Sequence, residues 1–133
     1  MSPKLRSVLA RVALIGGVAL VASIVLRAAP HDQSLVLRLH ADGRRVKRVT
    51  GVVTRVGDSE PTAGFSRDFP GSSPRTLRHT FSAPNDTYIV VITLEEESET
   101  DAESTGASPP IPSETSFERR VSLAGGEVIV SPD

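Results

Sequence analysis

Fifteen consecutive uncharged residues near the N-terminus, VALIGGVALVASIVL at positions 12–26, constrain this chain more than any other feature. The stretch before them carries Lys4, Arg6 and Arg11, and Arg27 closes the run. A basic stretch followed by an apolar segment is typical of proteins that are exported or inserted into a membrane. The run therefore predicts one hydrophobic helix, followed by a separate folded domain at 30–133.

The apolar run is compatible with an uncleaved signal anchor or with a cleaved signal peptide. As a helix it spans about 22 Å, which is short of a hydrocarbon core of about 30 Å. Residues 8–10 and 28–29 lengthen it, and the flanking arginines can snorkel. Cleavage after Ala29 would place Arg27 where a small residue is preferred, and cleavage after Ser23 would leave apolar residues behind. We therefore predict a cytoplasmic basic stretch and a transmembrane helix over 1–29, with a cleaved signal as the alternative and a buried helix of a soluble protein as a third.

The location follows from charge and composition. The positive-inside rule places residues 1–11 in the cytoplasm and the C-terminal domain outside it. Lysine occurs only at Lys4 and Lys47, and the abundance of Arg, Ala, Val, Gly and Pro indicates a GC-rich bacterial genome. We expect a single-pass protein of the bacterial inner membrane whose run 12–26 contacts the lipid bilayer. A secreted or periplasmic protein is the alternative.

The formal net charge of -1 is a cancellation. Residues 1–79 carry a net +8 and residues 80–133 a net -9, and no Lys or Arg lies between His79 and Arg119. A domain that binds nucleic acid would be basic throughout, so we expect no nucleic-acid partner. The absence of cysteine excludes a disulfide scaffold, a thiolate metal site, a cysteine nucleophile and lipid attachment through cysteine.

The body of the chain shows short alternating segments, which predict six or seven strands in a small antiparallel β-sandwich, an all-β fold. The predicted strands are 34–40, 45–56, 75–82, 87–94, 117–123 and 127–130, with a possible edge strand at Phe65 and Phe69. Thr87 to Leu94 is apolar on both faces and is predicted to be central. The predicted core comprises Leu35, Leu37, Val53, Leu77, Phe81, Tyr88, Val90, Ile92, Phe117, Val121 and Val128.

The connections are predicted from turn residues. Residues 29–33 are expected to form a linker, Asp42-Gly43 and Gly125-Gly126 hairpin turns, and 83–86 a turn. Gly51 is expected to mark a β-bulge where the alternation of the second strand changes phase. Residues 95–103 contain six acidic side chains and are followed by Gly, Ser and three prolines, so 95–116 is expected to be an acidic flexible loop.

Two segments carry a resemblance. APNDTYIVVITLE, and after the acidic insert FERRVSLAGGEVIV, are similar to the closing strands of bacterial transthyretin-like or carboxypeptidase-regulatory-like sandwiches. The resemblance covers about a third of the chain and implies a non-enzymatic accessory module. An acidic insert of about 20 residues departs from the short connection usual in that pattern.

No motif points to catalysis, a metal or a cofactor. His31, His40 and His79 show no metal-ligand spacing, GxSxG is absent, and the acidic run lacks the alternation and central glycine of a calcium loop. We therefore predict no catalytic residue, cofactor or metal. A small hydrolase would require His40, His79 and a carboxylate to converge in a cleft.

The candidate interaction residues are a basic set, Arg44, Arg45, Lys47 and Arg48, together with Phe65 and Phe69. The basic set could contact anionic lipid headgroups, pair with the acidic loop, or simply solvate an edge strand. We expect an interaction or accessory module of the cell envelope that binds another envelope protein through a sheet edge or loops. A carbohydrate-binding or structural surface domain is the alternative, and an exposed pair of Phe65 and Phe69 would favour it.

Overall fold

One helix is followed by seven strands in the computed structural model, which describes residues 3–39, 44–98 and 112–132. The elements, in chain order, are α1 Pro3–Ala28, β1 Pro30–Arg38, β2 Arg44–Arg55, β3 Ala63–Asp68, β4 Thr76–Pro84, β5 Asp86–Ser98, β6 Ser113–Leu123 and β7 Glu127–Val130. The predicted helix followed by a small all-β fold is confirmed. Asp42-Gly43, His40 and residues 99–111 of the predicted acidic loop lie outside the described residues.

The strands form two sheets, with the order β4-β1-β7 in one and β3-β2-β5-β6 in the other. Strands β1 and β7 pair in parallel, whereas the other described pairs are antiparallel. The core comprises side chains from both sheets, so the sheets pack face to face as a sandwich. β5 lies between β2 and β6, as its two apolar faces predicted.

The predicted core is confirmed. Seven of its eleven residues are buried and the other four are half-buried and pack against the same cluster. Alternation along β4 and β6 points the expected side chains inward. The prediction missed several core residues, of which the most consequential is Gln33, the one buried polar residue among those described.

The hairpins predicted at Asp42-Gly43 and at Gly125-Gly126 are both wrong, because each of these connections joins strands of different sheets. β1 and β2 do not pair; β1 lies between β4 and β7, and β2 between β3 and β5. Likewise β6 and β7 belong to opposite sheets across Gly125, which adopts a positive φ of 75°. Turn residues report that the chain reverses, but the faces that need burial decide which strands pair.

Two other connections are shorter than predicted. Residues 30–33 are not a linker, because β1 begins at Pro30 and pairs there with Pro84 of β4. Only Asn85 separates β4 from β5, so the predicted turn at 83–86 is a sharp crossing between sheets. The Tyr88 hydroxyl donates a hydrogen bond of 2.7 Å to the Pro84 carbonyl and ties this crossing to β5.

The predicted bulge at Gly51 is also wrong. The register between β2 and β5 shifts between Val46 and Arg48, so the irregularity lies at Lys47. Gly51 stays in register and serves a different purpose. A Cβ built on it would lie 2.2 Å from Phe65 Cε1, because the Phe65 ring lies directly over it.

Both ends of the predicted acidic loop belong to strands. Glu95 to Ser98 continue β5, and Ser113 to Ser116 belong to β6. Glu95, Glu96 and Glu97 pair in register with β2, which carries the basic set. Cations on β2 therefore stabilise Glu95, Glu96 and Glu97 in a strand, although their composition predicted a loop.

Candidate interaction surface

The basic set lies at the end of the sandwich that is farthest along the strands from α1. β1 leaves α1 at Pro30 and runs nine residues to Arg38, and β2 begins at Arg44 on the return path. We call this end, with residues 44–48, 95–98 and 113–116, the distal end. It lies about 30 Å along β1 from the helix junction, which is several Debye lengths at physiological salt. This position favours pairing within the chain over contact with lipid headgroups.

Three members of the basic set form ion pairs with the strand that carries Glu95 to Glu97. Arg44 lies 3.3 Å from Glu96, and Lys47 lies 2.9 Å from Glu97. Arg48 bridges Asp68 on β3 at 2.5 Å and Glu95 on β5 at 3.4 Å. The pKa of Arg48 is raised, chiefly by its hydrogen bond with Asp68. The three cations therefore join β3, β2 and β5 across the sheet.

Arg45 and Phe69 hold the loop between β3 and β4 against the bulge of β2. The Arg45 guanidinium donates to the Pro70 carbonyl. The Phe69 amide donates to the Lys47 carbonyl at 2.7 Å. Phe69 itself is half-buried and packs against the core. The structure thus brings Phe69 to the basic set, but with its ring directed to the interior.

Phe65 lies farther along the sheet, where it closes one side of the sandwich. Its ring centroid is 4.5 Å from that of His79 on β4, and His79 stacks at 5.8 Å on Phe81. Burial lowers the pKa of His79, and the charge of Arg67 lowers it further. Phe65 and Phe69 do not form an exposed aromatic pair, so they offer no platform for stacking a sugar ring.

The opposite side of the sandwich is closed differently. Arg119 of β6 donates to the Pro132 carbonyl at 3.1 Å, and its guanidinium lies 5.7 Å from the centre of the Phe117 ring. β6 is the last strand of its sheet and, among the described strands, pairs only with β5. This side therefore presents a strand edge of eleven residues, of which the sequence predicted 117–123 as a strand and none as an edge.

The outer face of the larger sheet carries a shallow groove at the distal end. It is lined by Arg48, Thr50, Thr93, Glu95 and Glu114. Glu95 and Glu114 lie directly opposite each other on β5 and β6. In the described ranges, no three His, Asp or Glu side chains are arranged to hold a metal ion.

The end of the sandwich next to α1 is held by polar contacts that the sequence analysis missed. Gln33 donates from Nε2 to the Ala83 carbonyl at 3.1 Å and to Asn85 Oδ1 at 2.9 Å, and its Oε1 accepts from the Gly125 amide at 2.9 Å. One side chain thus joins β1 to both crossings between the sheets. Nothing in the local sequence distinguishes this glutamine from a solvated one.

A second polar contact at this end pairs Arg55 with Asp86. The Arg55 Nη2 lies 2.5 Å from Asp86 Oδ2. Asp86 also accepts from the Thr87 amide at 2.7 Å, which is the main reason that its pKa is lowered, with Arg55 contributing as well. This pair fixes the start of β5 to the end of β2.

The helix α1 is the one described helix that is long and apolar enough to cross a membrane or to act as a signal sequence. Its apolar span is Leu5–Ala28, none of which is buried against the sandwich. Ala29 alone separates α1 from β1. Comparisons with protein-family models, with curated proteins and with solved structures find no match for this chain.

Proposed function

We propose that this protein is a single-pass membrane-anchored β-sandwich of the bacterial cell envelope, which acts outside the cytoplasm as a non-enzymatic interaction module. The observation that carries the proposal is α1. Every large apolar side chain of this helix is more than half exposed, and they occupy all of its faces. A helix that is apolar all round is stable when lipid or protein surrounds it.

The exposed surface of α1 favours lipid as its surroundings. Twelve large apolar side chains project from the helix. About 60% of each residue's surface is exposed, so at about 1.5–3 kcal/mol for each fully buried side chain, moving all twelve from water into hydrocarbon is worth on the order of 10–20 kcal/mol. The span Leu5–Ala28 is about 36 Å long, which exceeds the hydrocarbon core of about 30 Å. Arg6, Arg11 and Arg27 lie within this span, so it crosses the core with these side chains extended to the headgroups on either side of the uncharged run 12–26.

Retention of the anchor is supported by the junction. A cut after Ala29 would fall between α1 and β1, and Arg27 would then occupy a position that favours small residues. The basic residues before the uncharged run 12–26, Arg6 and Arg11, support an N-terminus in the cytoplasm. The sandwich would then stand on the opposite side of the membrane.

An accessory role is supported by the resemblance to transthyretin-like and carboxypeptidase-regulatory-like sandwiches. A hydrolase would require His79 to lie in an open cleft. Its ring instead packs between Phe65 and Phe81, which also supports an accessory role. A sheet with an open edge, carried at the membrane surface, suits the capture of another envelope protein by strand addition.

Fractionation of bacterial membranes tests the anchor. Full-length protein is expected to remain in the pellet after an alkaline wash, and protease added to spheroplasts is expected to digest the sandwich. Replacing Leu14 and Val21 by arginine should move the protein to the soluble fraction. On the insertion scale each arginine costs about 3 kcal/mol at the centre of a span, whereas each apolar side chain contributes only about 0.3–0.6 kcal/mol. The control replaces Leu14 by isoleucine and Val21 by leucine and should behave as the unchanged chain.

If the unchanged chain is found as a shortened, soluble form, α1 is a cleaved signal peptide and not an anchor. Protection of the sandwich in spheroplasts would refute its location outside the cytoplasm. The interaction role is tested by crosslinking in intact cells, followed by purification of the full chain in detergent. Recovery of no envelope protein above the level seen with α1 fused to an unrelated domain would refute that role.

A further inference from the structure

We propose that the free edge of β6 binds an extended strand of a partner protein in antiparallel pairing, with charges on that strand complementary to Glu114, Glu118 and Arg120. This inference rests on the proposed interaction role and names the surface and the chemistry of the partner. The bound strand would become the fifth strand of the β3-β2-β5-β6 sheet.

β6 is the longest strand edge of the described sandwich. It has eleven residues, against six, nine and four in the other edge strands β3, β4 and β7. β4 ends in Pro84, whereas β6 contains no proline and is preceded by Pro112. Its register with β5 is unbroken from Leu123 to Ser113, so no bulge turns the edge away. About 37 Å of regular backbone is therefore available for pairing.

The charges on β6 specify what the partner strand must carry. Glu114, Glu118 and Arg120 are exposed and share the outer face, since the buried Val121 and Leu123 define the inner one. Among the described residues, none of these three charged side chains forms an ion pair. Because residues directly opposite each other share a face, an antiparallel partner would set an acid against Arg120 and bases against Glu118 and Glu114.

The same charges favour a different protein over a second copy of this chain. No antiparallel register of two β6 strands pairs all three charges. Setting Glu118 against Arg120 also sets Arg119 against itself, and setting Glu114 against Arg120 leaves Glu118 opposite Ser116. Like charges directly opposite each other are destabilising. Arg119 also holds the Pro132 carbonyl, so it cannot turn away without opening that side of the sandwich.

A pair of synthetic peptides tests the edge on the full chain in detergent micelles. The matched peptide, TVETKVTVKT, runs antiparallel to residues 113–122 and places its acid opposite Arg120 and its bases opposite Glu118 and Glu114. The exchanged peptide, TVKTEVTVKT, has the same composition with the two central charges swapped. Fluorescence anisotropy of labelled peptides should show the matched peptide binding at least about tenfold more tightly, since two cross-strand pairs change sign.

Variants of the chain separate charge pairing from general attraction. Glu118→Arg combined with Arg120→Glu should invert the preference, so that the exchanged peptide binds more tightly. Arg38→Glu makes the same charge change as Arg120→Glu, but on the exposed end of β1 in the other sheet, and should leave both affinities unchanged. The fluorescence of Tyr88, the one tyrosine in a chain without tryptophan, verifies that each variant is folded.

Inversion of the preference by the charge swap supports the proposal. The proposal is overturned if the two peptides bind with equal affinity or if neither binds. It is also overturned if Arg38→Glu changes the preference between the peptides as much as the charge swap does. Self-association of the chain that the charge swap abolishes would assign the edge to a second copy and also overturn it. If neither peptide binds while crosslinking still recovers an envelope protein, the interaction role stands and β6 is not its site.

Discussion

Replacing Gln33 by leucine should destabilise the sandwich although it puts an apolar side chain of similar size into a buried position. Gln33 is fully buried and makes three hydrogen bonds, one to the buried Ala83 carbonyl and two to partly buried groups of Asn85 and Gly125. Leucine leaves all three partners without this bond, and the two crossings between the sheets lose their common attachment to β1.

The magnitude follows from the setting of each bond. Leaving the buried Ala83 carbonyl without a hydrogen bond costs about 1–3 kcal/mol. Losing each of the other two hydrogen bonds costs about 1 kcal/mol, because water can reach their partners. Burial of leucine returns about 1.5–3 kcal/mol. The net loss in free energy of unfolding is about 2 kcal/mol, which lowers the melting temperature of a domain of this size by roughly 8–16 °C.

Urea unfolding of the full chain in detergent measures the effect. Tyr88 is fully buried and is the sole tyrosine, so its fluorescence reports on the sandwich rather than on α1. Asp32→Asn, on the exposed face of the same strand, is the matched control and should leave the midpoint unchanged. Asn85→Ala, alone and with Gln33→Leu, isolates one bond in a double-mutant cycle. An unchanged or higher midpoint for Gln33→Leu would refute the reasoning.

Two further predictions concern the side of the sandwich closed by Phe65. Gly51→Ala should lower the free energy of unfolding by about 1–3 kcal/mol, because the new methyl group overlaps the Phe65 ring; Phe65→Leu in the same background should recover part of the loss in urea unfolding. His79 has a lowered pKa, so its contribution to stability is complete above its unfolded pKa of about 6.5 and is lost as the pH falls through that value toward the folded pKa. The urea midpoint should therefore fall on acidification below about pH 6.5, and His79→Phe should flatten that decline, whereas an unchanged slope would contradict it.

Features that depend on local pattern were predictable from the sequence. The two apolar faces of β5 identified it as a central strand, and alternation along β4 and β6 identified the side chains that point inward. Burial follows from the two-residue period of a strand, whatever its neighbours are. The apolar run likewise identified α1, because its signal depends on composition alone.

Features that depend on strand pairing were not predictable. Asp42-Gly43 and Gly125-Gly126 have the composition of hairpin turns, yet the strands that they connect lie in opposite sheets. Glu95 to Glu97 read as a flexible loop because their stabilising cations lie about 50 residues earlier, on β2. The sequence alone identified the basic set, and pairing with the acidic loop was one of the three roles expected for it. The open edge of β6 required the strand order.

The strand order also separates the two roles that we assign to this protein. α1 leads through Ala29 into β1, which lies in the middle of its sheet and pairs with β4 over nine residues and with β7 over four. The strand next to α1 is therefore paired with β4 along its whole length, paired with β7 from Ser34 to Leu37, and fixed by Gln33 to both crossings. The proposed binding edge belongs to the other sheet, where β6 is separated from β1 by the core. A partner strand can add to β6 without displacing a hydrogen bond of β1, the strand that follows α1.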